Sequence, residues 1–224
     1  QNQSVLYVQD NPNSEAKMVL DPNTFSADGT TSLGELDFSK DGRYLAYSTS
    51  KGGSDWRTIQ VKDLQTGQML PDQIEWVKFS GISWQGTGFY YTRFPEPAEG
   101  AALTATNKFG AVYFHELGTE QSADKLVYND KAHPDRSFGA STTDDERFLC
   151  VVGWESTSGN ALYFKDSAKE KAAFVPVSTT FENDFNVIDN VGDKLIVLTN
   201  NKAPNQRLIL VNTAQPQPEH WETL

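Results

Sequence analysis

One cysteine, Cys150, occurs in 224 residues. A single thiol excludes an intrachain disulfide and any zinc site built on two or more thiolates. Its setting, Phe148-Leu149-Cys150-Val151-Val152, reads as a small buried hydrophobe. The chain lacks an apolar run of about 18 residues, so no helix can span a membrane. Its N-terminus lacks the basic head and apolar core of a secretory signal. The absence of a starting Met suggests a cleaved or excised segment. Basic charge is scarce: nineteen Lys and Arg stand against thirty Asp and Glu, a net charge of -11. Without Lys/Arg clusters to displace counterions, neither nucleic acid nor an anionic membrane surface is an expected partner. The compartment stays open between cytoplasm and periplasm, with a soluble protein expected in either.

What is abundant is repetition. An apolar run closed by a polar residue recurs at Val5–Asp10, Thr58–Asp63, Ala111–Glu116, Ala161–Asp166 and Arg207–Asn212. The closing residues, 10, 63, 116, 166 and 212, are spaced by 53, 53, 50 and 46. Between the copies, Asp/Gly-rich turns precede dense apolar runs: Tyr44–Tyr47, Phe89–Tyr91, Phe148–Val152 and Leu195–Leu198. Such turns suit hairpins, and short β-branched and aromatic runs suit strands. Each unit of about 50 residues therefore holds four short strands. The second run of each unit is too apolar for a half-exposed strand, which calls for a sheet covered on both faces. Four-stranded units stacked face to face make a β-propeller; a β-sandwich explains the strands but not the interval. The expected architecture is all-β, a propeller segment of four to five blades: a trailing half-blade over 1–20, then units over 29–72, 73–129, 130–178 and 179–224, with no domain boundary. The stretches 166–174 and 14–20 have helix-forming composition but read as turns entering a strand. Phe94–Thr106 reads as an exposed excursion.

Chemistry-bearing patterns are few. Gly52-Gly53-Ser54-Asp55-Trp56 ends in Trp where a nucleophile elbow needs Gly, and Gly153-Trp154-Glu155-Ser156 puts Glu where the serine belongs. Both read as turns. His115, His133 and His220 lie 18 and 87 residues apart, which predicts no metal site; His115 is expected at the surface, His133 at a loop corner and His220 opening the last strand. Asp184, Asn186, Asp189, Asn190 and Asp193 lack the ligand order of a calcium loop and read as solvated strand ends. Asn2-Gln3-Ser4 matches a glycosylation sequon. No cofactor is expected. Trp56 and Trp84 are expected inside strands, packed between blades.

Several segments resemble prolyl oligopeptidase: Gln1–Asp10, Gly52–Trp56 with Thr58-Ile59, Leu70-Pro71-Asp72, Val77-Lys78-Phe79-Ser80, Leu117-Gly118-Thr119, Thr143–Phe148 and Ala203–Leu208. They occur in family order along the whole chain. The resemblance implies part of a seven-bladed propeller that covers the Ser/His/Asp active site of an α/β-hydrolase domain in the same parent chain. It implies a serine endopeptidase that cleaves short proline-containing peptides after proline, with this portion gating and size-filtering access. No triad residue matches here, so the segment alone is expected to be inactive. Two residues match family positions in the outer substrate subsite: Phe79 in the Val-Lys-Phe-Ser motif, and Phe138 in Phe138-Gly139-Ala140. The alternative, a stand-alone propeller that binds a protein partner, requires a closed ring.

Overall fold

The computed structural model describes residues 3–9, 11–169 and 171–224. Asn2 of the sequon and Asp10 of the first repeat lie outside the described residues. Four successive four-stranded antiparallel units follow a two-stranded one. The opening pair is β1 (Leu6–Val8) with β2 (Lys17–Leu20). The first unit holds β3 (Thr31–Phe38), β4 (Tyr44–Lys51), β5 (Arg57–Asp63) and β6 (Met69–Val77). The second holds β7 (Ser83–Gln85), β8 (Gly88–Arg93), β9 (Ala111–Glu116) and β10 (Lys125–Tyr128). The third holds β11 (Ser137–Thr142), β12 (Phe148–Trp154), β13 (Ala161–Asp166) and β14 (Val175–Ser178). The fourth holds β15 (Phe185–Val191), β16 (Lys194–Thr199), β17 (Arg207–Asn212) and β18 (Glu222–Thr223). Neighbouring first strands touch, β3 with β7 and β7 with β11, so they lie where the blades converge.

The density of the second strands has a direct physical cause. Successive side chains point to opposite faces of a strand, and here both faces are covered. Leu45 and Tyr47 pack toward the opening pair, whereas Ala46 packs toward the second unit. Phe89 and Tyr91 face the first unit, and Tyr90 faces the third. Leu149 and Val151 face the second unit, while Phe148 and Cys150 face the fourth. Cys150 is buried, and burial pushes its thiol pKa up to about 12.

The polar residues that punctuate the repeat are turn-makers. Asp63 Oδ1 accepts from Gln65 N at 2.8 Å, Asp166 Oδ1 from Ala168 N at 3.1 Å, and Asn212 Oδ1 from Ala214 N at 2.9 Å. Each side chain thus mimics a backbone turn that starts the hairpin to the fourth strand. The first hairpin of a unit has its own device. Asp41 Oδ1 accepts from Ser39 Oγ at 2.7 Å and Arg43 N at 3.0 Å; Asp145 Oδ1 accepts from Thr143 Oγ1 at 2.8 Å and Arg147 N at 3.0 Å. Gly42 has φ +70° in the first copy, and Glu146 takes φ +58° in the other. Glu146 offsets that strain with bonds to the preceding unit: its carboxylate accepts from Gly86 N at 2.9 Å and its carbonyl from Gln85 Nε2 at 2.8 Å.

Several expectations need correction. The boundary 72/73 falls inside β6, whose end pairs Val77 with Arg93 and joins the first two units into one sheet. Gly153 and Trp154 belong to β12 rather than a turn. His220 lies in a short 3₁₀ turn before β18. Trp84 is in β7, but Trp56 precedes β5, in a loop. The acidic run of the fourth unit is not merely solvated. Asp189 Oδ1 accepts from Asp144 N at 2.9 Å, Asn190 Nδ2 donates to Asp145 Oδ2 at 3.0 Å, and Asp193 pairs with Arg147. These bonds tie the fourth unit to the turn of the third.

Replacing Leu162, which is fully buried between the third and fourth units, with Ala should cost about 2–5 kcal/mol through lost transfer energy and a cavity. Urea unfolding of Leu162→Ala should show a lower midpoint with an unchanged slope.

Candidate functional site

At the end of the blades where second strands turn into third strands, loops of one unit reach the connector that follows their own unit. Phe109 N donates to Pro134 O at 2.7 Å, Lys108 pairs with Asp135 at 3.1 Å, and Asn160 N donates to Asn183 O at 2.9 Å. Arg136 of the second connector also pairs with Glu155 at 2.7 Å. These contacts fix otherwise irregular backbone, which is where binding side chains are commonly presented.

The segment after β6 is held most tightly. Val77 is core, and Ser80 Oγ donates to Gly81 O at 2.6 Å while accepting from Thr92 N at 2.7 Å. Between them Lys78 turns inward, only 8% exposed. Its Nζ bonds Asn107 Oδ1 at 3.1 Å, pairs with Asp55 Oδ2 at 3.5 Å and lies 4.9 Å from the Trp56 ring centroid. Trp56 donates from Nε1 to Ala102 O at 2.6 Å and packs edge-on against Trp76 and Phe94. The excursion after β8 is therefore anchored at Phe94 and Ala102, although Leu103 projects into solvent.

With Lys78 and Ser80 committed inward, Phe79 must point out. It is 53% exposed, at φ +51°. A bulky residue in the left-handed region is strained and persists only where its surroundings over-determine it. Lys78 lies beneath its ring at 5.5 Å. Phe79 borders a cleft of about 450 Å³ lined also by Glu35, Ser54, Asp55, Arg57 and Gly81.

Phe138 is placed differently. It is 2% exposed, packs edge-on against Tyr128 at 5.1 Å, and sits opposite Gly153, where a Cβ would approach its ring to 2.9 Å. Thr92 links the two segments, since its hydroxyl donates to Phe138 O at 2.8 Å and its N–H to Ser80 Oγ. The Phe138 side chain nonetheless belongs to the apolar layer between the second and third units.

His115 overturns its expected surface position. It is fully buried, with Nδ1 2.7 Å from Asp124 Oδ1 and Nε2 2.9 Å from Asp72 Oδ1. Asp72 also accepts from Gly118 N at 2.6 Å, and Tyr91 OH donates to Asp124 Oδ2 at 2.5 Å. With a carboxylate on each ring nitrogen, the ring donates through both when it is protonated. Burial works against its charge, but the hydrogen bonds it donates to Asp124 and Asp72 outweigh burial and hold its pKa above the ordinary value. Burial first, and then Asp124, push the Tyr91 hydroxyl well up. This network bolts β6 of the first unit to β9 of the second. No spacing signals it, because its members lie 43 and 9 residues from His115. Both ring nitrogens are taken, so His115 has no free nitrogen with which to activate a nucleophile. His133 is a loop residue paired with Asp130 at 2.8 Å. Among the described residues, no three His, Cys, Asp or Glu side chains form a metal-binding group, and no helix is long and apolar enough to cross a membrane.

A family model described as the prolyl oligopeptidase N-terminal β-propeller domain matches residues 1–224. The chain belongs to this family. It is 44% identical over 223 residues to a prolyl endopeptidase of Elizabethkingia meningoseptica, covering 99% of this chain and 31% of that protein. It is 31% identical over 241 residues to a prolyl endopeptidase of Dictyostelium discoideum, covering 89% of this chain and 32% of that one. A solved prolyl endopeptidase structure superposes with TM-score 0.88 at 34% identity, over all of this chain and 32% of its own. Prolyl oligopeptidase B of Galerina marginata, bound to a 25mer macrocyclization substrate, superposes with TM-score 0.86 at 29% identity, over 100% and 34%. The chain thus spans about a third of the length of these relatives.

The buried triad gives this propeller a pH signature. Because folding raises the His115 pKa, its contribution is complete below the ordinary value of about 6.5 and is lost as pH rises through the native pKa. His115→Gln leaves two buried carboxylates without their cation, which should cost about 3–5 kcal/mol. Urea unfolding at pH 6 and pH 9 should show a larger gap between wild type and variant at pH 6. A gap that widens with pH would contradict the assignment.

Proposed function

We propose that this chain is the non-catalytic propeller of a serine endopeptidase that cleaves short peptides after proline. In that protein a hydrolase domain joined to the propeller supplies the nucleophile, the base and the oxyanion hole. The propeller covers the active site and admits chains narrow enough to pass, so size selection is steric. The observation that carries this reading is the family match across all 224 residues. The strained, exposed Phe79 at the mouth of a cleft supports a direct role in contacting peptide. Phe79 is the subsite residue of this proposal. The burial of Phe138 favours a supporting role beneath that surface, as packing for the segment that carries it.

The 224-residue chain alone should hydrolyse a chromogenic Gly-Pro substrate no faster than the blank. In the protein that unites it with a hydrolase domain, Phe79→Ala should raise KM a few-fold and lower kcat less. A contact remote from the scissile bond is made equally in the ground and transition states. An unchanged KM with a sharply lower unfolding temperature would make Phe79 a packing residue and remove it from the site.

A further inference from the structure

We propose that Arg57 is a specificity-determining residue of the Phe79 cleft, selecting peptides that carry a carboxylate beside the residue resting on Phe79. This rests on the peptide-contacting role proposed above. Arg57 opens β5, the third strand of its unit, two strands away from the convergent centre. Its side chain nevertheless crosses β4 and ends over β3. A Cβ at Gly34 would fall 2.1 Å from Arg57 Nη1 and 2.5 Å from Ser48 Oγ. Only the missing side chain at Gly34 lets the guanidinium lie there. The register of β3 also breaks locally, between Leu33 and Leu36. Ser48 Oγ steadies Nη1 at 3.5 Å.

A guanidinium carries five N–H donors, and among the described residues this is the one side-chain hydrogen bond Arg57 makes. It has no ion pair among them, in a chain with thirty acidic groups against nineteen basic ones. Of the two carboxylates lining the cleft, Asp55 is tied to Lys78. Glu35 has no ion pair among the described residues and lines the same space. The cleft therefore presents a fork of free donors suited to a carboxylate, next to an exposed aromatic ring that takes the neighbouring side chain. With Arg57 in place the cleft accepts an acidic group; without it, Glu35 repels one.

The test titrates the 224-residue chain with acetyl-Glu-Ala-Pro-amide and with its Gln analogue, following amide resonances by NMR. The Glu peptide should bind roughly two- to fivefold tighter, the range of an exposed ion pair. Arg57→Met should abolish or reverse that preference. Gly34→Ala should do the same, because the new methyl falls where the Arg57 guanidinium lies and the end of that long side chain must move away, although the buried Ser48 hydroxyl 2.5 Å from the methyl makes some loss of unfolding temperature expected as well. Phe79→Ala should weaken both peptides alike. Equal binding of the two peptides to the wild type, or a preference that survives both Arg57→Met and Gly34→Ala, overturns the proposal while leaving the Phe79 reading intact. A preference that depends on Arg57 alongside an indifferent Phe79→Ala upholds Arg57 and overturns the Phe79 reading. No shift with either peptide at millimolar concentration overturns both.

Discussion

The first three four-stranded units of this protein depend on burying their second strands from both sides. β4, β8 and β12 send alternate residues into two different apolar layers, so no unit has a core of its own. A single antiparallel sheet of four strands can leave one face in water; here the second strands carry apolar residues on both. The fold is thereby obliged to stack. In β16 of the last unit, Leu195 and Val197 are buried against the third unit, while Ile196 and Leu198, on the other face, are only half-buried.

Stacking apolar faces gives little angular definition, since hydrophobic contact is non-directional. The polar interactions supply it. Asp144, Asp145 and Arg147 meet Asp189, Asn190 and Asp193 at one end of the blades, and the loop-to-connector bonds of Phe109, Lys108 and Asn160 hold the other. The Asp72–His115–Asp124 network lies near the hairpin end, inside the joint of the first two units. A charged group is tolerated there because both its donors are satisfied and two carboxylates face it.

The same economy of commitment creates the candidate site. Val77, Lys78 and Ser80 each have an inward partner, so the backbone between them is fully specified and Phe79 is forced outward in a strained conformation. Gly34, next in sequence to Glu35 of the cleft, acts by absence, opening the surface on which Arg57 lies.

The sequence by itself determined the repeat, the four-stranded unit and the blade stacking. Those features arise from local turn chemistry and from a two-residue period, both written in contiguous residues such as Asp41, Asp145 and the run Phe148–Val152. Its family resemblance also drew attention to Phe79, whose motif is contiguous. The tertiary structure alone decided the rest. His115 looked like a surface residue because three of the four equivalent positions, Gln9, Lys62 and Lys165, are polar, and its partners Asp72 and Asp124 come from other segments. Phe138 matched the family on a shorter motif than Phe79, and Gly153 across the strand pair makes room for its ring between the blades. The crossing of Arg57 over Gly34 is likewise invisible along the chain. Periodicity reports which face a residue occupies; it does not report what the next blade places against that face, and that decides burial, charge and exposure.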